Sequence, residues 1–468
     1  MTTLTSAPAV PAALVAHFGD RLVRPDDARY HSARSVWNGM VDKHPRAVAR
    51  CTDDQDVRIA LLEAAAAGLP ISVRGGGHQI AGGAVADDGI VLDLSPLRFA
   101  DVDPAGSTVT VGGGALLGDL DRALARYRVA VPAGVVSHTG VGGLTLGGGI
   151  GWLSRSRGLT SDSLIGATVV DGRGRRLEVD RDRHAELFWA LRGGGGSFAT
   201  VLSFRYRTEP IGRITFGMRV LEIDQARDAL LEFGRLAPDL PRDLQVMVKL
   251  QRTGHPGGVP VDHLVTAPGA AADRPVVSVE WLWSGDPAGL GEATDLLRLG
   301  GRGVARISRK TFAAVQSQQD HRYPHGWRYY LKPGHLQVLG PAQVDAVLTA
   351  ADTMPAGDVQ IEMLTLGGAI TDVAEDATAY PRRSAGVAFN VTGGWPDAHA
   401  DAEYIGWARQ THQALSGVGT AGAYLNFLGA ETPDLTAVFG AEKLDRLRAV
   451  KREYDPDDLY RPAVHIAP

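Results

Sequence analysis

The chain has 468 residues, more than one ordinary core accommodates, so two domains are expected. Hydrophobic residues make up 44% and charged residues 22%, with a net charge of −5 and a single cysteine, Cys51. This balance gives no electrostatic reason for a nucleic-acid partner or an anionic membrane, and it excludes an internal disulfide and a cysteine-built metal cluster. The opening stretch MTTLTSAPAVPAALVAHFGD lacks a basic segment and a sustained apolar core, and no run of about 18 apolar residues follows. A cytoplasmic protein without a membrane span is therefore expected.

Ala47–Cys51 reads as a short strand. Thr52, Asp53 and Asp54 offer N-caps for a helix over about 54–67, with Val57, Ile59, Leu61, Leu62 and Ala65 on its apolar side. A buried strand at 69–73 and another at 89–94 bracket the stretch RGGGHQIAGG, residues 74–83. Its glycines free the backbone to take positive φ and to bring N–H groups close to a ligand such as a pyrophosphate. It is not a Walker loop, which would need Lys-Ser/Thr, nor a Rossmann fingerprint, since no helix pattern opens from it. At its centre stands His78.

This loop resembles the flavin-attachment loop of the FAD-linked oxidases with a PCMH-type FAD domain, in their berberine-bridge-enzyme-like branch. The resemblance implies FAD held by a covalent bond from His78 to the flavin 8-methyl group. A neutral imidazole is a competent nucleophile, and the electron-poor ring makes that methyl acidic and then electrophilic. Arg74, Gly75, Gly76, Gly77, Gln79, Gly82 and Gly83 are the cofactor contacts the loop implies. The β–α–β order leading into it matches the small FAD subdomain.

Residues 107–112 alternate as a strand, and 115–127 carry Leu116, Leu117, Leu120 and Leu124 at helical spacing. The segment 134–151, GVVSHTGVGGLTLGGGIG, has eight glycines in eighteen residues, so no regular structure with much side-chain packing is expected. In the family this segment runs under the flavin and along the pyrophosphate. That implies contacts from Val136, Ser137, Thr139, Gly140, Gly142, Gly143, Gly147, Gly148 and Gly151. Many members carry a cysteine where Val136 stands, which makes a second flavin bond; with no thiol here, a single histidyl tether is expected. Thr139 falls at the position thought to control dioxygen access, and is compatible with oxygen reactivity. His138 is expected to be structural.

A strand at 165–170, a turn at Asp171-Gly172, a returning strand at 177–179 and a helix at 183–192 follow. The next glycine loop reads GGGGSFA where the family has GGGGNFG, so Ser197 costs an amide contact. A strand over 198–207 closes the FAD domain. The expected class is α+β: a PCMH-type, vanillyl-alcohol-oxidase-like FAD domain over 1–208 and a substrate domain over 209–420. The substrate domain is an antiparallel sheet backed by helices around 225–237, 287–298, 342–354 and 399–416, with an exposed loop at 253–274. A segment over 421–468 returns to the FAD domain. Its Tyr424-Leu425-Asn426 matches the family Y-x-N motif, making Asn426 a cofactor contact, and Ala463 and His465 replace the usual asparagines of the tail.

Hydride loss from a carbon bearing O–H or N–H needs a base within reach of that proton. In strand 359–366, period two puts Gln360 and Glu362 on one face and Val359, Ile361 and Met363 on the other. Glu362 is one candidate base; Tyr424 is the second, as base or substrate anchor, with Lys332 as a cation to help it ionise. Trp152 and Tyr330 are candidate pocket walls, and nothing local marks Lys249. The expected activity is an oxidase acting on a small, natural-product-like molecule with dioxygen as acceptor. An oxygenase or dehydrogenase on the same fold is the alternative, and a non-catalytic flavoprotein a third. The expected partners are thus a small-molecule substrate and dioxygen; oligomeric state and substrate identity are left open.

Overall fold

The computed structural model describes residues 9–253, 273–291, 305–419, 422–429, 431 and 434–468. Three main sheets organise it. The first has four strands in the order Leu22–Val23, Ala47–Arg50, Ile90–Asp93, Ile71–Arg74, and its last three run parallel. Parallel neighbours need a crossover, supplied by helix Asp54–Ala66. Asp53 caps that helix by accepting from the Asp56 N–H at 2.8 Å, and Val57, Ala60, Leu61 and Ala64 are fully buried beneath it.

The second sheet is antiparallel, in the order Ala100–Val102, Thr108–Gly112, Ala199–Arg207, Leu164–Asp171, Arg176–Val179. Against it pack Leu444, Leu447, Val450 and Tyr454 of the C-terminal helix Ala441–Tyr454. Buried Lys451 anchors the tail, donating to the Ser197 carbonyl at 2.9 Å, the Tyr460 carbonyl at 2.8 Å and the Asp455 carboxylate at 2.6 Å.

The chain passes to the third sheet between Arg207 and Ile214. Its seven antiparallel strands lie in the order Ala305–Lys310, Ile214–Glu222, Pro275–Trp283, Leu244–Arg252, Asp358–Thr365, Val387–Trp395, Arg328–Leu336. Helices Ala226–Leu236, Pro341–Asp352 and Asp401–Gly417 cover one face, which shows them Val246, Val248, Val279, Ile361, Met363 and Val391. Period two sends the alternate residues Lys249, Gln251, Glu280, Gln360, Glu362 and Asn390 to the other face. That face is buried as well, so this sheet hides a polar surface inside the molecule.

One sequence expectation changes. The glycine-dense segment contains a helix, Val141–Leu146, because Val141, Gly142, Leu144 and Thr145 pack inward while Gly143 keeps its other side bare. Leu425–Phe427 forms a turn of 3₁₀ helix with extended Tyr424 at its N-cap. Of the expected helix at 287–298, residues 287–289 form a 3₁₀ turn that leads into α-helix at 290–291, and 292–298 lie outside the described residues, as do 254–272 of the expected loop.

Candidate active site

Where the sheets meet lies a cavity of about 310 Å³. One wall is backbone from Gly75–Gly77, Gly142–Gly143 and Gly195–Gly196; the facing wall is the polar side of the third sheet, through Glu362, Asn390 and Thr392. Two kinds of glycine build the backbone wall. Gly76 lets two chains touch, since a Cβ there would stand 2.4 Å from the Gly140 nitrogen. Gly143 keeps space open, since a Cβ there would meet nothing within 4 Å, and one at Gly196 would meet Leu146 at 4.0 Å. The result is a trough bare of side chains and rich in peptide N–H groups, as a long, flat, phosphate-bearing ligand requires.

His78, at the cavity, belongs to a cluster of imidazoles. His78 Nε2 lies 2.6 Å from His138 Nδ1, and the exposed His325 ring is 5.0 Å from that of His138. Trp37 stacks on His78 at 4.5 Å with 15° between planes, and is itself backed by Tyr329 at 3.9 Å. Burial, with His138 and His325 adding to it, pushes His78 well below the usual histidine range, so it is neutral and nucleophilic at ordinary pH.

Behind Glu362 in the facing wall lies Lys249, which is fully buried. Its ammonium reaches Glu280 at 3.1 Å, Gln319 at 3.1 Å and Glu362 at 3.7 Å. Burial raises the Glu362 carboxyl above its usual range; Lys249 opposes the rise and Glu280 adds to it. Among the described residues lining the cavity, Glu362 is the sole carboxylate. Tyr424 lines the same cavity, and its hydroxyl accepts from the Asn426 amide at 2.8 Å and the Ile150 N–H at 3.2 Å, leaving its own proton to donate. Burial pushes Tyr424 up to about 12, so it is a neutral donor at physiological pH. Asn390 donates to Thr392 at 2.8 Å, while its carbonyl oxygen has no protein partner.

The cavity's construction agrees with the comparisons. Residues 45–180 match the family model described as FAD binding domain, and residues 423–465 match the one described as berberine and berberine like. The chain thus carries an FAD binding domain and a berberine-like C-terminal segment, and over nearly its whole length it is similar to FAD-linked oxidoreductases. (R)-6-hydroxynicotine oxidase of Paenarthrobacter nicotinovorans is 29% identical over 470 residues, covering 96% of each chain. An FAD-linked oxidoreductase of Dictyostelium discoideum is 28% identical, over 92% of this chain and 91% of its own. Among solved structures, 6-hydroxy-D-nicotine oxidase from Arthrobacter nicotinovorans superposes with a TM-score of 0.84 at 27% identity, covering 96% of this chain and 97% of its own. Glucooligosaccharide oxidase from Acremonium strictum, described with a 6-S-cysteinyl, 8α-N1-histidyl FAD, shares the fold at a TM-score of 0.84 and 23% identity, covering 98% and 99%.

In this FAD-linked oxidoreductase the structure brings most of the sequence-marked residues to the cavity. From the first loop these are Gly75, Gly76, Gly77, His78, Gln79 and Gly83; from the second, Val136, Thr139, Gly140, Gly142, Gly143 and Gly147; beyond them, Glu362, Tyr424 and Asn426. Others shape the wall from behind. Arg74 pairs with Asp93 at 3.1 Å. Gly82, at φ +69°, packs on Val41, and Gly148, at φ +106°, packs on Tyr380. Gly151 sits against the Ala133 carbonyl. Ser137 is held by Asp320, through its N–H at 2.8 Å and its hydroxyl at 2.5 Å.

Three residues expected at the site, the pocket walls Trp152 and Tyr330 and the cation Lys332, lie elsewhere. Trp152 is 1% exposed and meets Phe216 edge-on at 5.4 Å in an apolar cluster. In strand Arg328–Leu336 it is Leu331 that lines the cavity, so period two turns Tyr330 and Lys332 away, where both engage Glu431. Lys332 therefore does not assist Tyr424. At the altered tail, Ala463 lines the cavity, His465 bonds Asp458 at 2.7 Å, and Ser197 accepts from the Ile466 N–H at 3.2 Å. Sequence reasoning named Lys249 without giving it a role, and passed over Trp37, Tyr323, His325 and Asn390. For Lys249 a partial signal existed: in LQVMVKLQR, period two puts Gln245, Lys249 and Gln251 on one face, interrupted only by Met247, and Leu244, Val246, Val248 and Leu250 on the other.

Proposed function

We propose that this protein is an FAD-dependent oxidase whose flavin is tethered once, through His78, and which oxidises a small organic molecule held between the glycine trough and the third sheet. When bound, FAD supplies the two-electron acceptor and the route of those electrons to dioxygen. The chain supplies the rest. Glu362 takes the proton from the substrate O–H or N–H, and Tyr424 donates a hydrogen bond to the substrate. The carbonyl of Asn390, directly across from Glu362 in the sheet register, accepts one. The reading is carried by the position of Glu362, the lone carboxylate among the described lining residues, opposite the glycine wall.

Single attachment is supported by Val136 at the cavity and by Cys51 lying fully buried in the N-terminal core, its thiol bonded to the Ala49 carbonyl at 3.4 Å. A compact, alkaloid-like or polyketide-type substrate suits the cavity's mainly apolar lining and the relative named for (R)-6-hydroxynicotine. Mass and absorbance of acid-precipitated protein test the tether: retained yellow colour and FAD mass support it, and a colourless pellet overturns it. Anaerobic addition of hydroxylated amines and phenolic alcohols tests the reaction, through bleaching of the flavin. Labelled dioxygen then separates the outcomes. Label in peroxide means oxidase, label in product means oxygenase, and no oxygen uptake means dehydrogenase.

A further inference from the structure

His78 is held in place on two sides. Trp37 fixes the plane of its ring by stacking, and His138 engages Nε2 at 2.6 Å. Two imidazole nitrogens at that distance share one proton, so one ring donates and the other accepts. If His138 donated, His78 Nδ1 would carry a proton and have no lone pair to offer. If His78 donates from Nε2, its Nδ1 is left bare and nucleophilic. The nitrogen that reacts is thus set by the hydrogen bond that the other nitrogen makes.

We propose, resting on the reading that His78 carries the flavin, that His138 is a positioning residue for the attachment. It holds His78 in the tautomer with a free Nδ1, and it takes the proton that Nε2 must shed once Nδ1 has bonded. In the overall step a bond forms between Nδ1 and the flavin 8-methyl carbon, and a C–H bond of that methyl breaks. One proton leaves the methyl and one leaves the imidazole, and the electron pair of the C–H bond passes through the flavin to dioxygen. Dioxygen, the acceptor of the proposed oxidase, takes that pair and two protons as hydrogen peroxide, which balances the step. His138 is placed for its task by its neighbour in sequence, since Asp320 grips Ser137 through both N–H and hydroxyl. Exposed His325, with its ring 5.0 Å from that of His138, leads the proton out to solvent.

The test follows attachment rather than turnover. Apoprotein from a riboflavin-starved host is mixed with FAD under air, and the fraction of flavin that stays with acid-precipitated protein is followed with time. His138→Ala is expected to bind FAD without the bond and to attach it about a hundredfold more slowly. Added imidazole should restore much of that rate, which a merely structural role would not allow. His138→Asn, whose amide oxygen can accept from Nε2, should fall between wild type and alanine, and His325→Ala should slow attachment only about threefold. Attachment by His138→Ala at the wild-type rate overturns the proposal, as does failure of both imidazole and asparagine to restore it. Should His138→Ala not bind FAD, His138→Asn against His138→Leu decides, and equal rates overturn it. A wild-type protein that loads FAD with no gain in covalent mass defeats the tether itself, an outcome distinct from all of these.

Discussion

A carboxyl group with no cation beside it, buried as Glu362 is, would hold its proton at neutral pH and could not act as a base. Lys249 is the cation that makes the role workable, reaching Glu362 and Glu280 from one buried position. Two outcomes follow. Glu362→Gln should keep its flavin and slow anaerobic flavin reduction by about 10²–10⁴-fold in stopped flow, the range of a lost general base. Lys249→Met removes the stronger of the two cations that lower Glu362 and leaves Arg322 alone against burial and Glu280, both of which raise it. The active carboxylate exists above its pKa, so the ascending limb of the pH–rate profile should move to higher pH. A limb that stays put, or moves toward acid, would count against Glu362 as the titrating base.

At the scale of the element, glycine has two separable jobs in the trough. Gly143 lies within helix Val141–Leu146 and faces open cavity. Gly143→Leu should leave the thermal stability of the apoprotein intact, since leucine favours a helix more than glycine by roughly 0.5–1 kcal/mol, yet lower FAD occupancy severely. Gly76→Ala drives a Cβ into the Gly140 backbone, so it should lower the melting temperature of the apoprotein itself. Calorimetry together with flavin content separates the two; loss of stability without loss of FAD in Gly143→Leu would refute the division. This also marks what was legible in the sequence. Clustered glycines announce a backbone surface wherever they fall, so the trough and His78 could be read directly. Strand faces could not: RYYLKPGHL has no clean alternation, and Tyr330 and Lys332 look as suited to a pocket as Leu331 does. Lys249 and Glu362 become partners through the register of two strands more than a hundred residues apart, which no local pattern contains.

Taken whole, the molecule places its chemistry on a seam, and the groups that clamp the seam set its pH limits. Arg155, from the cofactor half, is 3% exposed and donates to carbonyls of the third-sheet half: Leu244 at 3.1 Å, Leu240 at 2.6 Å, and Leu366. Arg383 grips Asp162 at 2.6 and 2.9 Å from the other direction. On the far side, helix Leu117–Ala125 packs against helix Phe312–Gln316 and contributes Asp121, whose Oδ2 is buried without a partner. Burial, with Asp320 as a nearby like charge, pushes Asp121 up to about 8. An aspartate in the unfolded chain titrates near 4, so between these values the folded state holds a proton that the unfolded state has lost. Stability therefore falls as pH rises from about 4 to about 8, and the full cost of burying the charge is felt above 8. Asp121→Asn removes that titration. Its melting temperature should exceed that of wild type by an amount that grows from pH 5 to pH 9, read by thermal denaturation across that range. A difference that is constant with pH would show that Asp121 does not carry the seam's alkaline sensitivity.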